Sequence, residues 1–268
     1  MDDTEQNPES QAPPILPEEE LSHTDKMTGI FTEPSATFEK IARFPLRTVD
    51  WLLPILIFFL VVAATRVLVL SNEEIAYQER QKQIKQVDKL VEEGVLTREQ
   101  ADQQIEQTKK FSDSPIAYIL MTVSILIGGF IFFFIIVLFY FLLSKFVLKG
   151  NGGYTSSLVA NGLPAYISIL QIVLAAILSL VFERLLNDVS VASLANIDKS
   201  TITGWALGKL DPFSIWVYSV LSIGLAKLFR SDSTKKYFIM VFSFWILGSL
   251  LLWAIGKAVP FLSFLSQM

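Results

Sequence analysis

The stretch SPIAYILMTVSILIGGFIFFFIIVLFYFLLS, residues 114–144, decides the fold of this 268-residue chain. These 31 consecutive positions carry no charge, and nearly all side chains from Ile116 to Leu143 are apolar. A helix rises about 1.5 Å per residue, so a helix of this length exceeds the roughly 30 Å hydrocarbon core of a bilayer. A soluble chain of this size has no core that buries such a helix on all faces. The stretch therefore predicts a transmembrane helix, tilted or bent.

The composition of the chain also indicates a membrane protein. Hydrophobic residues make up 52% of the sequence and charged residues only 18%, below the roughly 25% of soluble domains. The absence of cysteine excludes a disulfide framework, a thiolate metal site and a cysteine nucleophile. A net charge of −4 offers no basic surface for nucleic acid, so we expect no nucleic-acid partner. We also expect no cofactor.

Five apolar runs divide the chain. They are Trp51–Leu70, Pro115–Ser144, Pro164–Phe182, Phe213–Phe229 and Tyr237–Gly256. The fourth run is the weakest, because Lys227 leaves only 14 residues before the first charge. A lysine at a helix end extends its ammonium group to the interface, so we keep this run as a span. The prediction is an all-α, polytopic membrane helical bundle with five transmembrane helices over residues 51–268 and one helical hairpin outside the membrane.

The residues ahead of the first run divide into two parts. Residues 1–26 are acidic and rich in proline, which predicts a disordered, solvated tail. Its histidine, His23, has no partner His or Cys in the sequence, so we expect no metal role. Residues 27–50 form an amphipathic juxtamembrane segment, in which Pro34 suits a first helical turn and Phe38 lies on the apolar face. We expect this helix to lie on the cytoplasmic leaflet, with a simple linker as the alternative.

Residues 71–113, between the first two runs, predict a helical hairpin. Gly94 suits the position just past a helix end, and the sequence TREQ at 97–100 is a capping box that opens the next helix. One face of the first helix carries an apolar stripe of Ile84, Val87 and Val91. Two helices with so few apolar residues bury too little to stand alone, so we expect contact with the membrane domain or with a second copy. A coiled-coil dimer contact and a solvated hairpin both stay open.

Basic residues near the run ends predict the orientation in the membrane. Within five residues of a run end, seven bases share the side of the N-terminus: Arg47, Lys145, Lys149, Lys227, Arg230, Lys235 and Lys236. Four lie on the opposite side: Lys110, Arg184, Lys209 and Lys257. This excess predicts a multi-pass protein of the cell membrane with a cytoplasmic N-terminus and the C-terminus outside.

Candidate residues for chemistry are scarce. The sequence has no His-Glu-x-x-His, no phosphate-binding Gly-x-x-x-x-Gly-Lys and no strand–turn–helix setting for a nucleophilic serine. Arg66 is the one ionisable residue well inside a run, and such residues are functional candidates. It either extends to the interface or forms an intramembrane ion pair with Glu183, at the corresponding end of the third run. Asp211 and Pro212 together predict a helix start, with the aspartate as the cap.

Three patches carry a family resemblance. The sequence LDPFSIW at 210–216, continued by GLA at 224–226, resembles the signature that enters the fourth span in bacterial members of the Ypt-interacting protein (Yip) family. GIFTEP at 29–34 is similar to the entry to their first span, and YTSSL at 154–158 to the lead into their third. The residues of the first patch that carry the likeness are Asp211, Pro212, Phe213 and Trp216. The resemblance implies five spans, a cytosolic N-terminus and a short C-terminal end on the far side.

The resemblance also bears on partners. Eukaryotic relatives are associated with Rab-type GTPases and vesicle traffic. This chain lacks the Asp-Leu-Tyr-Gly-Pro segment of their cytosolic tails and carries the 71–113 hairpin, two departures that argue against a GTPase partner.

Together these features predict a non-enzymatic integral membrane protein that acts as a scaffold and organises membrane partners. Its contact surfaces would be the tail, the amphipathic segment and the hairpin. Its partners would be membrane lipids and other proteins, with a second copy of the chain among the candidates. The alternative is a small transporter or channel for an ion or lipid, with Arg66, Gln171 and Glu183 lining a polar path. An intramembrane enzyme is the third possibility.

Overall fold

The computed structural model describes residues 19–112, 115–259, 262, 265 and 266, and no β-strand occurs in this part of the chain. A short π-helical turn, Leu143–Val147, extends the sixth helix. The α-helices, in chain order from α1 to α12, are His23–Thr32, Pro34–Ile41, Val49–Leu70, Glu73–Glu92, Arg98–Ser112, Pro115–Leu142, Tyr154–Gly162, Ala165–Val181, Val191–Leu194, Ile202–Gly208, Pro212–Leu228 and Thr234–Ala258.

Within the described residues, four helical stretches are long and apolar enough to cross a membrane. They are Val49–Leu70, Ile116–Val147, Tyr154–Val181 and Thr234–Ala258. Helix α11 is apolar but shorter, at 17 residues or about 25 Å. The predicted all-α membrane fold is confirmed, and the fourth predicted span corresponds to this shorter helix.

The C-terminal half of helix α11 is enclosed by other helices. Its inner half is buried at Val220, Leu221, Ser222, Gly224, Leu225, Ala226 and Leu228. These side chains belong to the largest apolar cluster of the structure, which also contains residues from α1, α2, α6, α7, α8 and α12. The first half of α11 is more open, with Ile215 and Trp216 41% and 36% exposed.

Helices α1 and α2 form a tight hairpin that lies along α11. The Phe31 ring contacts Trp216 in the second turn of α11, with 5.9 Å between ring centroids. Farther along, the Phe38 ring covers Gly224, where an added Cβ would come within 2.7 Å of it. The sequence placed this apolar face on the lipid leaflet, and that prediction is wrong. The face packs on protein because Gly224 leaves a recess that accepts the Phe38 ring.

The N-terminal boundary also differs from the sequence-based one. The predicted division at residues 26 and 27 falls inside α1, which begins at His23. Ser22 caps this helix, and the side chain of Asp25 completes a capping box. The prediction of disorder for residues 1–18 lies outside the described residues.

Helix α3 packs closely on α7 and α8. At Gly162, the last residue of α7, an added Cβ would lie 2.5 Å from the Cα atom of Trp51 on α3. A backbone atom cannot move aside as the end of a side chain can. Glycine at this position therefore sets the distance between the two helices.

The connections gather at two opposite ends of the bundle. At the end that holds α1 and α2, the Asn151 amide donates to the Phe229 carbonyl across 2.8 Å, which joins two connecting segments. At the other end, Gln78 of α4 donates to the Glu183 carbonyl across 3.1 Å. Trp253 Nε1, near the end of α12, donates to the Ser200 carbonyl across 3.2 Å, so the α4–α5 hairpin, the segment 183–211 and the last turns of α12 share one end.

Candidate functional site

Arg66 holds the base of the α4–α5 hairpin. Its Nη2 lies 3.8 Å from Oε2 of Glu79 on α4, and its Nη1 lies 3.5 Å from Oδ1 of Asn187. The predicted partner, Glu183, sits at the turn after α8 with a left-handed backbone, φ 52°. The predicted Arg66–Glu183 pair is therefore replaced by an Arg66–Glu79 pair, because α4 folds down beside the end of α3.

The hairpin itself follows the local signals in the sequence. Gly94 has φ 72°, a conformation that glycine adopts without strain. The Gln100 amide donates to Thr97 Oγ1 across 3.2 Å, and the Thr97 amide donates to Gln100 Oε1 across 2.9 Å. These are the two bonds of a capping box, so the predicted turn and helix start are confirmed. Ile75 at the base is fully buried against Val69 and Ala176 of the membrane bundle.

Between α4 and α5 lies an open groove of about 370 Å³. The apolar residues that line it are Ile84, Val87, Leu90 and Ile105. Gln83, Gln86, Gln104 and Thr108 add uncharged polar groups, and Arg80 and Lys109 add charge at the membrane-proximal end. Ala101 on α5 is fully buried. The hairpin thus presents an apolar groove with basic residues at its base.

A buried polar cluster joins α1 to the start of α3. Lys26 Nζ lies 2.8 Å from Asp50 Oδ2 and 3.2 Å from Glu20 Oε1. His23 Nε2 lies 2.8 Å from the Tyr166 hydroxyl, and its Nδ1 lies 3.5 Å from Asp50 Oδ1. The sequence did not predict this cluster because the acidic composition of the tail indicated disorder where α1 forms. The Ser22–Asp25 capping box was the local signal that identifies the helix.

Asp211 connects two helices of the bundle. Its Oδ1 accepts hydrogen bonds from the Phe213 and Ser214 amides at 2.9 and 3.3 Å, so it caps α11 as predicted. Its Oδ2 accepts from Gln171 Nε2 of α8. Pro212 occupies the first helical turn, also as predicted. In the same family-like patch, Phe213 contacts Trp216, so the patch anchors α11 to α8 and α1.

The segment 183–211 turns back along α8. The Leu186 amide donates to Ser179 Oγ across 2.9 Å, so the chain after α8 turns back against the last turn of that helix. Asp188 then accepts hydrogen bonds from Lys199, Ser190 and Ser193. Burial alone would raise the pKa of the Asp188 carboxyl, but these three donors outweigh it and lower the pKa below its usual value. The segment is thereby fixed against the bundle.

The three residues of the predicted polar path each contact a different partner. Arg66 binds the hairpin, Gln171 binds Asp211, and the Glu183 carbonyl accepts from Gln78. The described residues contain no group of three or more His, Cys, Asp or Glu side chains able to hold a metal ion.

The helices at the rim of the bundle expose apolar side chains. Leu247 and Leu251 on α12 are 64% and 61% exposed, and Ile119 on α6 is 63% exposed. Such faces are stable only in lipid or against another protein. Together with the four candidate spans, they define a polytopic helical membrane protein.

The comparison with protein families extends this assignment. A family model described as the Yip1 domain matches residues 28–255, most of the chain. The chain therefore belongs to the Yip family, as its three patches predicted. The bacterial subgroup stays a prediction. Comparisons with curated proteins and with solved structures gave no match.

Proposed function

We propose that this Yip-family membrane protein is a non-enzymatic scaffold whose α4–α5 hairpin binds an amphipathic helix of a partner protein. The observation that carries the proposal is the open groove lined by Ile84, Val87, Leu90 and Ile105. An amphipathic helix buries its apolar face in such a groove, a common mode of peptide recognition. With one or two partner helices in the groove, the hairpin would become part of a three-helix or four-helix bundle. Such a bundle has the apolar core that two short helices lack.

Charge favours a different protein over a second copy as the occupant. Arg80 on α4 and Lys109 on α5 both line the membrane-proximal end of the groove. A second hairpin in parallel orientation would bring its own two bases against them, which is unfavourable. A helix with carboxylates at its membrane-proximal end would complement them. The proposed partner is therefore a membrane-anchored protein with an acidic turn at the base of its helix.

The base of the hairpin supports this role. Ile75 is buried in the bundle, Glu79 pairs with Arg66, and Gln78 bonds to the Glu183 carbonyl. These contacts fix the first two turns of α4 to the membrane domain and leave the rest of the hairpin outside it. A scaffold needs such an attachment, because it must hold a partner at a set distance from the membrane.

The proposed orientation places the groove on the outer side of the cell membrane. The end that holds α1 and α2 also carries seven of the eleven bases nearest the run ends, and basic residues favour the cytoplasmic side. The hairpin lies at the opposite end. The proposed partner helix therefore lies outside the cytoplasm.

Photo-crosslinking in native membranes tests the proposal. A benzophenone amino acid at Leu90 should capture a partner through the groove, whereas the same probe at Lys85, exposed on the other face of α4, should not. Ile105→Asp should abolish capture because it places a charge in the groove, while Gln103→Asp on the exposed face of α5 should leave it intact.

Mass spectrometry of the cross-linked peptide decides the identity of the occupant. The expected peptide is an amphipathic helix with carboxylates at one end, and Arg80→Glu should weaken its capture. A cross-link to a second copy, or equal capture from Lys85, contradicts the proposal. Flux of an ion or lipid across reconstituted vesicles that survives Ile105→Asp would favour the transporter instead.

A further inference from the structure

A polar cavity of about 100 Å³ lies under the segment 183–211. Its walls come from that segment, from the first turn of α11 and from the middle of α12. The lining residues are Asp188, Lys199, Trp205, Gly208, Lys209, Asp211, Ser214 and Trp245. The proposed function of the hairpin does not use this cavity, which lies in a different part of the chain.

The carboxylates of the cavity are already engaged. Asp188 accepts from Lys199 and from two serine hydroxyls. Asp211 accepts from two amides at the start of α11 and from Gln171. Both carboxylates therefore already accept hydrogen bonds within the protein, and Asp188 forms an ion pair with Lys199.

Two donors of the cavity have no acceptor. Lys209 Nζ lies over the rings of Trp205 and Trp245, 5.8 and 6.0 Å from their centroids. Among the described residues no carboxylate lies within 4.0 Å of this ammonium group. Trp205 Nε1 is buried and has no hydrogen-bond partner in the same part of the chain. A buried donor without an acceptor is costly, by about 1–3 kcal/mol, so such groups commonly mark a bound ligand or water.

The electrostatic surroundings of Lys209 also favour a bound anion. Burial lowers the pKa of this ammonium group, the neighbouring charge of Lys199 lowers it further, and the Asp188 carboxylate offsets part of this. A bound anion would offset both effects, since it supplies an opposite charge and accepts hydrogen bonds. A cation would meet the ammonium groups of Lys199 and Lys209, while the two carboxylates of the lining already accept hydrogen bonds within the protein.

We infer that this cavity binds an anionic phosphate group through Lys209 Nζ and Trp205 Nε1. The volume suits a phosphate group and excludes a whole lipid. The group has two sources, a phospholipid headgroup or free phosphate.

Thermal unfolding of the full-length protein in neutral detergent, followed by circular dichroism, tests the site. The probes are sodium phosphate and short-chain phosphatidylglycerol, each compared with sodium chloride at matched ionic strength. A ligand that binds only the folded state raises Tm in a saturable way. Lys209→Gln and Trp205→Phe should each weaken the apparent affinity at least tenfold. Lys209→Arg, and Lys257→Gln at the exposed end of α12, should retain it.

The outcomes separate the two sources. Saturation by phosphate supports the site with a free anion as ligand, and saturation by phosphatidylglycerol alone supports it with a headgroup as ligand. The inference is overturned if neither probe raises Tm beyond chloride, or if Trp205→Phe binds as tightly as the parent. Trp205→Phe removes the indole N–H and retains an aromatic ring, so it gives a second test where Lys209→Gln fails to fold.

Discussion

Lys26 and Asp50 form a buried ion pair between α1 and α3, with 2.8 Å between Nζ and Oδ2. The two residues are 3% and 1% exposed. Charges taken out of water are costly unless they are paired, so each residue fixes the position of the other. The pair therefore locks the α1–α2 hairpin to the start of the first span.

The first prediction follows from this pair. Lys26→Ala should lower the free energy of unfolding by about 3–5 kcal/mol, because it leaves the Asp50 carboxylate buried without its cation. Thermal unfolding in detergent measures the loss. Lys235→Ala, at an exposed position on the same end of the bundle, is the control and should change little. The double replacement Lys26→Met with Asp50→Leu should recover most of the stability. A parent-like Tm for Lys26→Ala would show that the ion pair does not hold the α1–α2 hairpin to the first span.

The second prediction concerns two helical glycines with different surroundings. Gly162→Ala should destabilise the protein by about 1–3 kcal/mol, because its Cβ would lie 2.5 Å from Trp51 Cα. Gly248→Ala in α12 should be neutral or stabilising, since nothing lies within 4 Å of its added Cβ and alanine favours a helix. The two Tm values, measured side by side, test the packing of α7 on α3. Equal shifts would show that the two helices are not in close contact.

The third prediction concerns the base of the hairpin. Arg66→Gln and Glu79→Gln should each loosen the hairpin, because the partly exposed pair contributes about 1 kcal/mol. Trypsin cleavage within α4 and α5 should then accelerate about fivefold, in proportion to the population of the open form. Glu183→Gln is the matched control, since its side chain is outside this pair, and should cleave at the parental rate. Faster cleavage of Glu183→Gln alone would restore the sequence-based pairing.

The fourth prediction is a pH dependence at Asp188. Its pKa is lowered in the folded state, so its contribution to stability is present above the unfolded pKa of about 3.9 and is lost as pH falls through the lowered value. Asp188→Asn should lower the free energy of unfolding at pH 7 by about 1–3 kcal/mol. It should also flatten the loss of stability below about pH 4. Unfolding curves of both proteins between pH 3 and 7 measure the difference, and parallel curves would contradict it.

The fifth prediction concerns orientation and the path of α11. The chain has no cysteine, so single cysteines report their own accessibility. A membrane-impermeant maleimide should label Val95→Cys and Ala195→Cys in intact cells, but Asn151→Cys and Ser233→Cys only after permeabilisation. The reverse pattern would invert the orientation. Labelling of Ala195→Cys and Ser233→Cys from the same side would show that α11 does not cross.

Local sequence signals predicted what local interactions determine. The turn at Gly94, the capping box at Thr97 and the Asp211 cap each depend on residues within a few positions of one another. The apolar runs likewise predicted the membrane helices, because hydropathy is a property of a contiguous stretch.

Contacts between residues far apart in the sequence could not be predicted from local signals. The sequence pairs Arg66 with Glu183 because both lie at the ends of their runs. Nothing in the sequence shows that α4 places Glu79 beside Arg66. The Lys26–Asp50 pair was missed for a similar reason. A lysine next to an acidic, proline-rich tail is typical of a solvated segment, and only the packed structure shows that it is buried.

The docking of α2 on α11 has a consequence for synthesis. Glu39 and Lys227 form an ion pair although 188 positions separate them in the chain. At about 5–20 residues per second, a ribosome needs about 10–40 s to make the intervening segment. During that interval the apolar faces of α1 and α2 have no α11 to cover them, so a chaperone or the lipid surface must shield them. Helices α1 and α2 are thus made before α11 but reach their final positions only after it.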